Sequence, residues 1–497
     1  MATQPTPNNI ERNLMPVESD LRSVMMRLNE GVLGAVFLVD ADGVMQGVIT
    51  DGNVRRAVLS GSSLDSPAAN VMTRDFTWGK ATAERSENLK LLSPTIRHLP
   101  ILNSRGQPVD MLSWAELWRV PVSAPSLGGN ELKYVSDAIN TNWVSSQGQY
   151  ISQFERNFAE YVGAEWALAV SNGTCALHLA LLVSGVGSGD EVIVPDLTFG
   201  ASANAVLHAG ARPVFVDVDA ETWALDAAQL ERAITPRTKA IMPVHLYGHP
   251  ADMDPVLAIA GKHGLKIVED CAESLGATYK NQNTGVIGDL GCFSFFANKV
   301  ITTGEGGMVT GNDPKLKAHV ELLRDHGMQK SRRYWHLEPG FNYRMTNVQA
   351  AIGVAQLEQI GTFLERRRAC VERYQHGLAN LEGIILPTEA SWARSIFWLY
   401  CIRVVPNGKD MNRDILAARL QAHGVDTRPV FPPLHGQPAF HVSAGADSEF
   451  PVSTQLAATG LCLPMSNDLT TADVDEICRI VREVVGHSRL ILARTES

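Results

Sequence analysis

Charged residues make up only 19% of this 497-residue chain, and no dense run of lysine or arginine stands out. With a formal net charge of −10, the chain lacks the basic stripe on which nucleic-acid binding depends, so no nucleic-acid partner is expected. Its seven cysteines are scattered and none forms a Cys-x-x-Cys pair; that pattern fits reduced thiols and argues against a disulfide framework or a zinc site. No uncharged apolar run is long enough to cross a bilayer, and the first residues, Met-Ala-Thr-Gln-Pro-Thr-Pro, lack a basic start followed by an apolar stretch. Neither a membrane partner nor a signal peptide is therefore expected, and the expected location is the cytoplasm. No Gly-x-Ser-x-Gly elbow occurs, which removes support for a serine hydrolase. Ser184-Gly-Val-Gly-Ser-Gly189 lacks the Gly-x-Gly-x-x-Gly register and precedes a strand, so it is a poor dinucleotide loop. His245-Leu-Tyr-Gly-His249 spaces two histidines as a helical metal site would, but Gly248 and Pro250 disfavour a helix and no acidic third ligand is evident; no metal is expected.

What is present points to an enzyme of more than one domain. Hydrophobic residues reach 45%, enough for sizeable cores, and the length suggests two or three domains. Residues 1–14 are polar and rich in Pro and Asn. An internal repeat follows. Gly34–Gly43 and Val44–Asn53 form two β-branched runs around a polar turn, then a helix start; the pattern recurs from Leu99 to Trp118. A constant offset maps Gly43 onto Gly106, Thr50 onto Ser113 and Asn53 onto Glu116. Each unit is a strand ending in a hydroxyl residue, with a polar side chain three residues on at a helix start. The Pro/Gly/Ser-rich stretch Val120–Gly129 marks a junction. Beyond it, short β-branched runs at Trp166–Val170, Glu191–Val194, Pro213–Val216, Ala240–Val244 and Lys266–Val268 alternate with helical patterns. That rhythm predicts an α/β domain with a mostly parallel sheet. From about Arg367, helical patterns with strands such as Trp398–Val405 predict a small α+β C-terminal domain.

Chemistry concentrates in Gly291–Val309, where Lys299 lies between the apolar run Cys292–Ala297 and the glycine-rich turn Thr303-Gly-Glu-Gly-Gly307. A lysine partly removed from water loses proton affinity and becomes a usable amine nucleophile, as a Schiff base with a carbonyl cofactor requires. Phe293, Phe295 and Phe296 are expected to bury the approach, and Ser294 offers a hydroxyl. Ala169–Leu181, with Ser171-Asn-Gly173-Thr174, reads as strand, tight turn and helix: an anion cradle or an ordinary capped helix start. Lys266-Ile-Val-Glu269-Asp270-Cys-Ala-Glu273 places carboxylates at the carboxyl end of a buried strand, where α/β sites lie; sequence alone leaves Glu269 and Asp270 both open. Phe199, in Pro195-Asp-Leu-Thr-Phe199-Gly, is the candidate stacking ring.

From about Val120 onward the chain resembles the DegT/DnrJ/EryC1/StrS sugar aminotransferases, which have the fold-type-I architecture and use pyridoxal 5'-phosphate (PLP). The resemblance implies that Lys299 carries the cofactor and later moves a proton. It assigns Asp270 to the pyridine nitrogen, Glu273 to the phenolic oxygen, Phe199 to the ring face, and Gly173, Thr174 and Ser294 to the phosphate. It implies a homodimer with shared active sites: Asn342, within Gly340–Gly353, would contact the partner's cofactor phosphate. It places Trp143, Trp335, His336, Arg428 and His435 around the substrate. Asn298–Gly304, Arg333–His336, Ile396–Trp398 and Arg428–His435 look most like GDP-perosamine synthases. This implies GDP-4-keto-6-deoxymannose as substrate, glutamate as amino donor and a place in lipopolysaccharide O-antigen biosynthesis; the alternative is a UDP- or dTDP-linked 3- or 4-keto sugar. The same family's dehydratases replace the lysine with His, so Lys299 favours transamination. The N-terminal repeat resembles a CBS-domain tandem, implying that Thr50, Asn53, Ser113 and Glu116 hold an adenine nucleotide, or that the pair builds a higher oligomer. The expected domains are 15–118 (CBS pair), 119–129 (linker), 130–366 (large PLP-binding domain) and 367–497 (small domain). The non-enzyme alternative is a catalytically silent nucleotide-binding regulator.

Overall fold

A computed structural model describes residues 10–30, 34–93, 95–114, 119–406, 411–443 and 446–492. The chain divides into two compact units: Met1–Pro121 with Asn407–Thr427 and Ile477–Ser497, and Val122–Pro406 with Arg428–Glu476.

The first unit carries the repeat as two three-stranded sheets. In one, β1 (Leu14–Pro16) runs parallel to β2 (Ala35–Val39), which forms a hairpin with β3 (Met45–Thr50). In the other, β4 (Gly79–Lys80) runs parallel to β5 (His98–Leu102), which forms a hairpin with β6 (Pro108–Ser113). The two hairpins share a register, Ala35 opposite Thr50 and His98 opposite Ser113, with an irregularity at Leu38/Val39 and again at Ile101/Leu102. Both turns are closed in the same way. Asp40 Oδ1 accepts from the N–H groups of Asp42 and Val44, and Asn103 Oδ1 from those of Arg105 and Gln107. A short polar side chain that bonds its own backbone is what makes Asx turns favourable. Between the sheets, Phe37, Met45, Leu102 and Met111 form one apolar cluster.

The second unit is built on a seven-stranded sheet. Its strands are β7 (Trp166–Val170), β8 (Glu191–Pro195), β9 (Arg212–Val216), β10 (Thr238–Ile241), β11 (Lys266–Asp270), β12 (Leu290–Ser294) and β13 (Gly307–Gly311). The order is β7-β13-β12-β11-β10-β8-β9, and β13 alone runs against the other strands. The sheet is thus mixed, but mostly parallel as expected. β12 and β13 flank the lysine segment; their glycines mask the strand pattern in the sequence. Helix α1 (Gly173–Val183) is apolar on nearly every side, and Ala176, Leu177, Leu179, Ala180 and Leu181 are buried in the core against the sheet, as an all-round hydrophobic helix must be. Because β7, β8, β11 and β12 point one way, their carboxyl ends meet at one edge, the usual place for a site in an α/β sheet. A four-stranded sheet, Ile384–Ile385, Tyr400–Val404, Gly460–Leu463 and Arg428–Pro429 in spatial order, completes the unit. Among the described residues no helix is long and apolar enough to cross a membrane.

Candidate active site

At that sheet edge lies a cavity of about 670 Å³ whose lining includes Gly173, Thr174, Phe199, Asp270, Glu273, Ser294, Lys299 and Arg428. Residues from four strand ends and the lysine turn therefore converge on one space. Lys299 sits in a turn closed by its N–H to the carbonyl of Phe296 at 2.9 Å. Its Nζ is 3.5 Å from Glu273 Oε1 and 3.9 Å from the ring centroid of Trp398. Burial depresses the lysine pKa below its ordinary value, and the carboxylates of Glu273 and Asp270 offset only part of that. The amine is thus nearer to its neutral, nucleophilic form, as the apolar flanks predict. Phe293 and Phe295 are buried and pack against Phe158, with ring centroids 5.0 and 5.5 Å apart. Phe296 is different: it is 46% exposed and lines the cavity instead of sealing it.

The two carboxylates that end β11 part company because successive strand side chains face opposite sides. Glu269 accepts the N–H groups of Gly285, Ile287 and Gly288 and lies 3.0 Å from His245 Nε2. All its capacity is spent on structure. Asp270 lines the cavity, with Oδ2 accepting from Ser202 Oγ at 2.7 Å and Oδ1 from the Ala272 N–H at 3.1 Å. Burial raises its pKa, and these donors work against that rise. His245, Glu269 and Cys271 lie close enough together to suggest a metal site. However, His245 Nδ1 already accepts from Ala251 N–H and Nε2 faces Glu269, so the imidazole has no lone pair left for an ion.

The cradle at the start of α1 is both a capped helix and a wall of the cavity. Asn172 Oδ1 accepts from Cys175 N–H at 2.9 Å, leaving Gly173 and Thr174 in the first turn facing the open space. The close approach of neighbouring segments explains two glycines. A Cβ on Gly173 would lie 2.8 Å from Ser294 Cβ, and one on Gly307 would lie 2.5 Å from the Asn172 carbonyl. Free helix N–H groups with two hydroxyls nearby suit a phosphate. Asn298 Oδ1, buried on the cavity lining without a partner, adds an acceptor with capacity for a ligand donor. The residues present therefore fit a phosphorylated pyridine aldehyde.

The geometry agrees with the comparisons. The model of the DegT/DnrJ/EryC1/StrS aminotransferase family matches residues 125–482. The chain belongs to this family. It is a PLP-dependent sugar aminotransferase, and Lys299 falls within the matched range. Among curated family relatives, GDP-perosamine synthase of Caulobacter vibrioides is 49% identical over 373 residues, 75% of this chain and 100% of the relative. GDP-perosamine synthase of Escherichia coli O157:H7 is 43% identical, covering 73% of this chain and 98% of the relative. A solved family structure, the putative sugar aminotransferase Spr1654 from Streptococcus pneumoniae in its PMP-form, superposes with a TM-score of 0.71 at 30% identity, covering 76% of this chain and all of that one. The N-terminal repeat lies before the matched range.

Several expected site residues are not brought into the cavity. Trp143, Trp335, His336 and Asn342 are exposed and do not line it. Asn342 Oδ1 accepts from Arg344, and His336 Nδ1 meets the carbonyl of His326. His435 is buried away from the cavity, with Nδ1 2.7 Å from Asp196 Oδ2 and Nε2 3.0 Å from Asp447 Oδ1. Both ring nitrogens are occupied, so the imidazole holds its own chain segment in place. In the repeat, Thr50 Oγ1 donates to Asn53 Oδ1 at 2.6 Å, and Ser113 is buried at the end of β6; Glu116 lies outside the described residues. Tyr247, Asn298 and Trp398 are among the lining residues to which the sequence assigns no role. Tyr247 and Trp398 lie in His245–His249 and Ile396–Trp398, segments that only the fold puts beside the lysine, whereas Asn298 adjoins Lys299 in the sequence.

Proposed function

We propose that the chain transfers the amino group of glutamate to GDP-4-keto-6-deoxymannose. The observation that carries this reading is Lys299 Nζ held between Glu273 and Trp398 in a cavity that also presents Asp270 and the N-terminus of α1. Similarity to two GDP-perosamine synthases supports the sugar and its nucleotide. Bound PLP would supply an electrophilic carbonyl carbon and a ring that accepts electrons. The chain's own residues do the rest. Gly173, Thr174 and Ser294 hold the phosphate by N–H and O–H donation. Asp270 receives the pyridine N–H, and a cation there favours its ionised form despite burial. Phe199, 62% exposed and 5.7 Å from Phe431, covers the ring face. Lys299, with its lowered proton affinity, takes up and returns the proton at the reacting carbon. Arg428 on the open side meets the anionic substrate.

The protein acts as a homodimer with shared sites in this reading. Exposed large side chains at Trp143, Val144, Tyr334, Trp335 and Leu337 support it, since apolar surface of this kind marks an interaction face. Asn342 then reaches the partner's phosphate, while Trp143, Trp335 and His336 border the partner's substrate. Residues 15–118 form a CBS-type pair that binds an adenine nucleotide or enlarges the assembly, 119–129 a linker, 130–366 the cofactor domain and 367–497 the small domain. The enzyme works in the cytoplasm. The test is a panel of GDP-, UDP- and dTDP-linked keto sugars with glutamate. Turnover of the GDP-4-keto sugar is expected; exclusive turnover of a UDP or dTDP sugar would overturn the substrate, and no turnover with any, by protein that binds PLP, would favour the regulatory alternative.

A further inference from the structure

The segment His245–His249 holds a residue whose backbone is out of the ordinary. Tyr247 has φ 51° and ψ 19° and is buried. Only Gly, and to a lesser degree Asn and Asp, adopts this left-handed conformation readily; a bulky residue found there is held by its surroundings. The surroundings are on view. The ring lies nearly parallel to Trp398, at 6.2 Å and 8°, and to Phe431, at 5.2 Å and 22°. The phenol oxygen accepts the N–H of Phe431 at 3.0 Å, and the Tyr247 carbonyl accepts the N–H of Trp398 at 2.8 Å. His245 and His249 anchor the two ends, one to Glu269 and the other to the Ala390 N–H.

This conformation aims the Tyr247 N–H at Glu273 Oε2, 2.8 Å away, while Glu273 Oε1 faces Lys299 Nζ at 3.5 Å. A glutamate carboxylate turns easily about its last bond, so a fixed donor on one oxygen decides where the other points. The same tyrosine braces Trp398, whose ring underlies Lys299 Nζ and whose Nε1–H donates to the carbonyl of Asn298 at 2.8 Å. We infer that Tyr247 is a positioning residue: its left-handed backbone, locked by its stacked ring, orients Glu273 and through Glu273 the amine of Lys299. This rests on Lys299 being the reactive lysine of the proposed function.

The inference is tested on full-length protein freed of cofactor, by following acylation of Lys299 with an amine-reactive ester against pH and reading it by mass spectrometry. Lys299 is faced by Glu273 and Asp270, which favour its protonated form, and by Arg428, which opposes it. Glu273→Gln should therefore shift the acylation midpoint to lower pH. Tyr247→Ala should shift it the same way, by about half a unit, a roughly threefold rate gain below the midpoint. Tyr247→Gly removes even more of the side chain but tolerates the left-handed backbone, so it should shift the midpoint less than Ala does. That reversal of size order is what a merely space-filling ring would not produce. Should Tyr247→Ala fail to fold, Tyr247→Leu against Tyr247→Asn makes the same comparison, with Asn expected nearer to wild type. A Gly shift equal to or larger than that of Ala, or an unshifted Glu273→Gln, overturns the inference. Loss of the proposed function would show elsewhere, as full turnover by Lys299→Ala.

Discussion

The amine of Lys299 illustrates how one residue takes its chemistry from its surroundings. Burial lowers its proton affinity, Glu273 and Asp270 raise it, and burial is the larger effect. Lys299→Ala should abolish turnover and leave no cofactor covalently retained after borohydride reduction and denaturation, with an unchanged circular dichroism spectrum; full activity would refute the assignment. Asp270→Asn tests a second group of the cavity lining. An amide cannot stabilise a protonated ring nitrogen as a carboxylate does, so turnover should drop by orders of magnitude while equilibrium binding of cofactor, followed by fluorescence, persists. Wild-type rates in that variant would place the carboxylate function elsewhere. The sequence left Glu269 and Asp270 undecided because adjacent strand residues have the same composition and opposite faces. The N–H groups of Gly285, Ile287 and Gly288, converging on Glu269, separate the two.

Elements meet at this site with little spare room. The start of α1 is pressed against β13, and Gly307→Ala would set a Cβ 2.5 Å from the Asn172 carbonyl. Main chain cannot yield there as a flexible side chain would, so a loss of roughly 1–3 kcal/mol in urea unfolding is expected, as for overpacked cores; an unchanged midpoint would show that the junction can relax. On the far side, the 428–435 segment is tied to the end of β8. Leu434 N–H and His435 N–H both donate to Asp196, and the His435 ring bridges Asp196 and Asp447. Burial opposes charge on His435, yet the two carboxylates outweigh it and raise its pKa, while burial raises Asp196. A raised histidine pKa means that the folded chain binds its proton more tightly than the unfolded chain. The stabilisation is present below the unfolded value of about 6.5 and is lost as pH rises through the folded one. The Asp196 shift has the same sign, within the carboxylate range. Calorimetry between about pH 6 and pH 9 should show the melting temperature falling with pH in wild type and falling less in His435→Asn; parallel curves would remove His435 as the titrating group.

At the scale of the whole molecule, the prediction concerns sharing between chains. Lys299→Ala and Asn342→Ala chains, each inactive alone, should regain activity when mixed and reassembled, because a hybrid dimer of the proposed kind contains one site with both residues intact. Hybrids shown to form but without activity would count against shared sites. The sequence by itself determined the alternation of strands and helices, the repeat of residues 34–53 at 97–116, and the identity of the lysine segment. All three rest on local periodicity and turn chemistry, which neighbouring residues dictate. It also carried the family, through motifs that keep their order along the chain. Only the tertiary structure decided that β13 runs against its neighbours, that Phe296 opens onto the cavity, that His435 is spent on Asp196, and that Tyr247 and Trp398 frame Lys299. Those outcomes depend on which face of a strand or loop meets a partner distant in the sequence, as far as 239 residues away for His435 and Asp196. No local pattern encodes that; packing selects it, because each buried donor and acceptor must find its match across the fold.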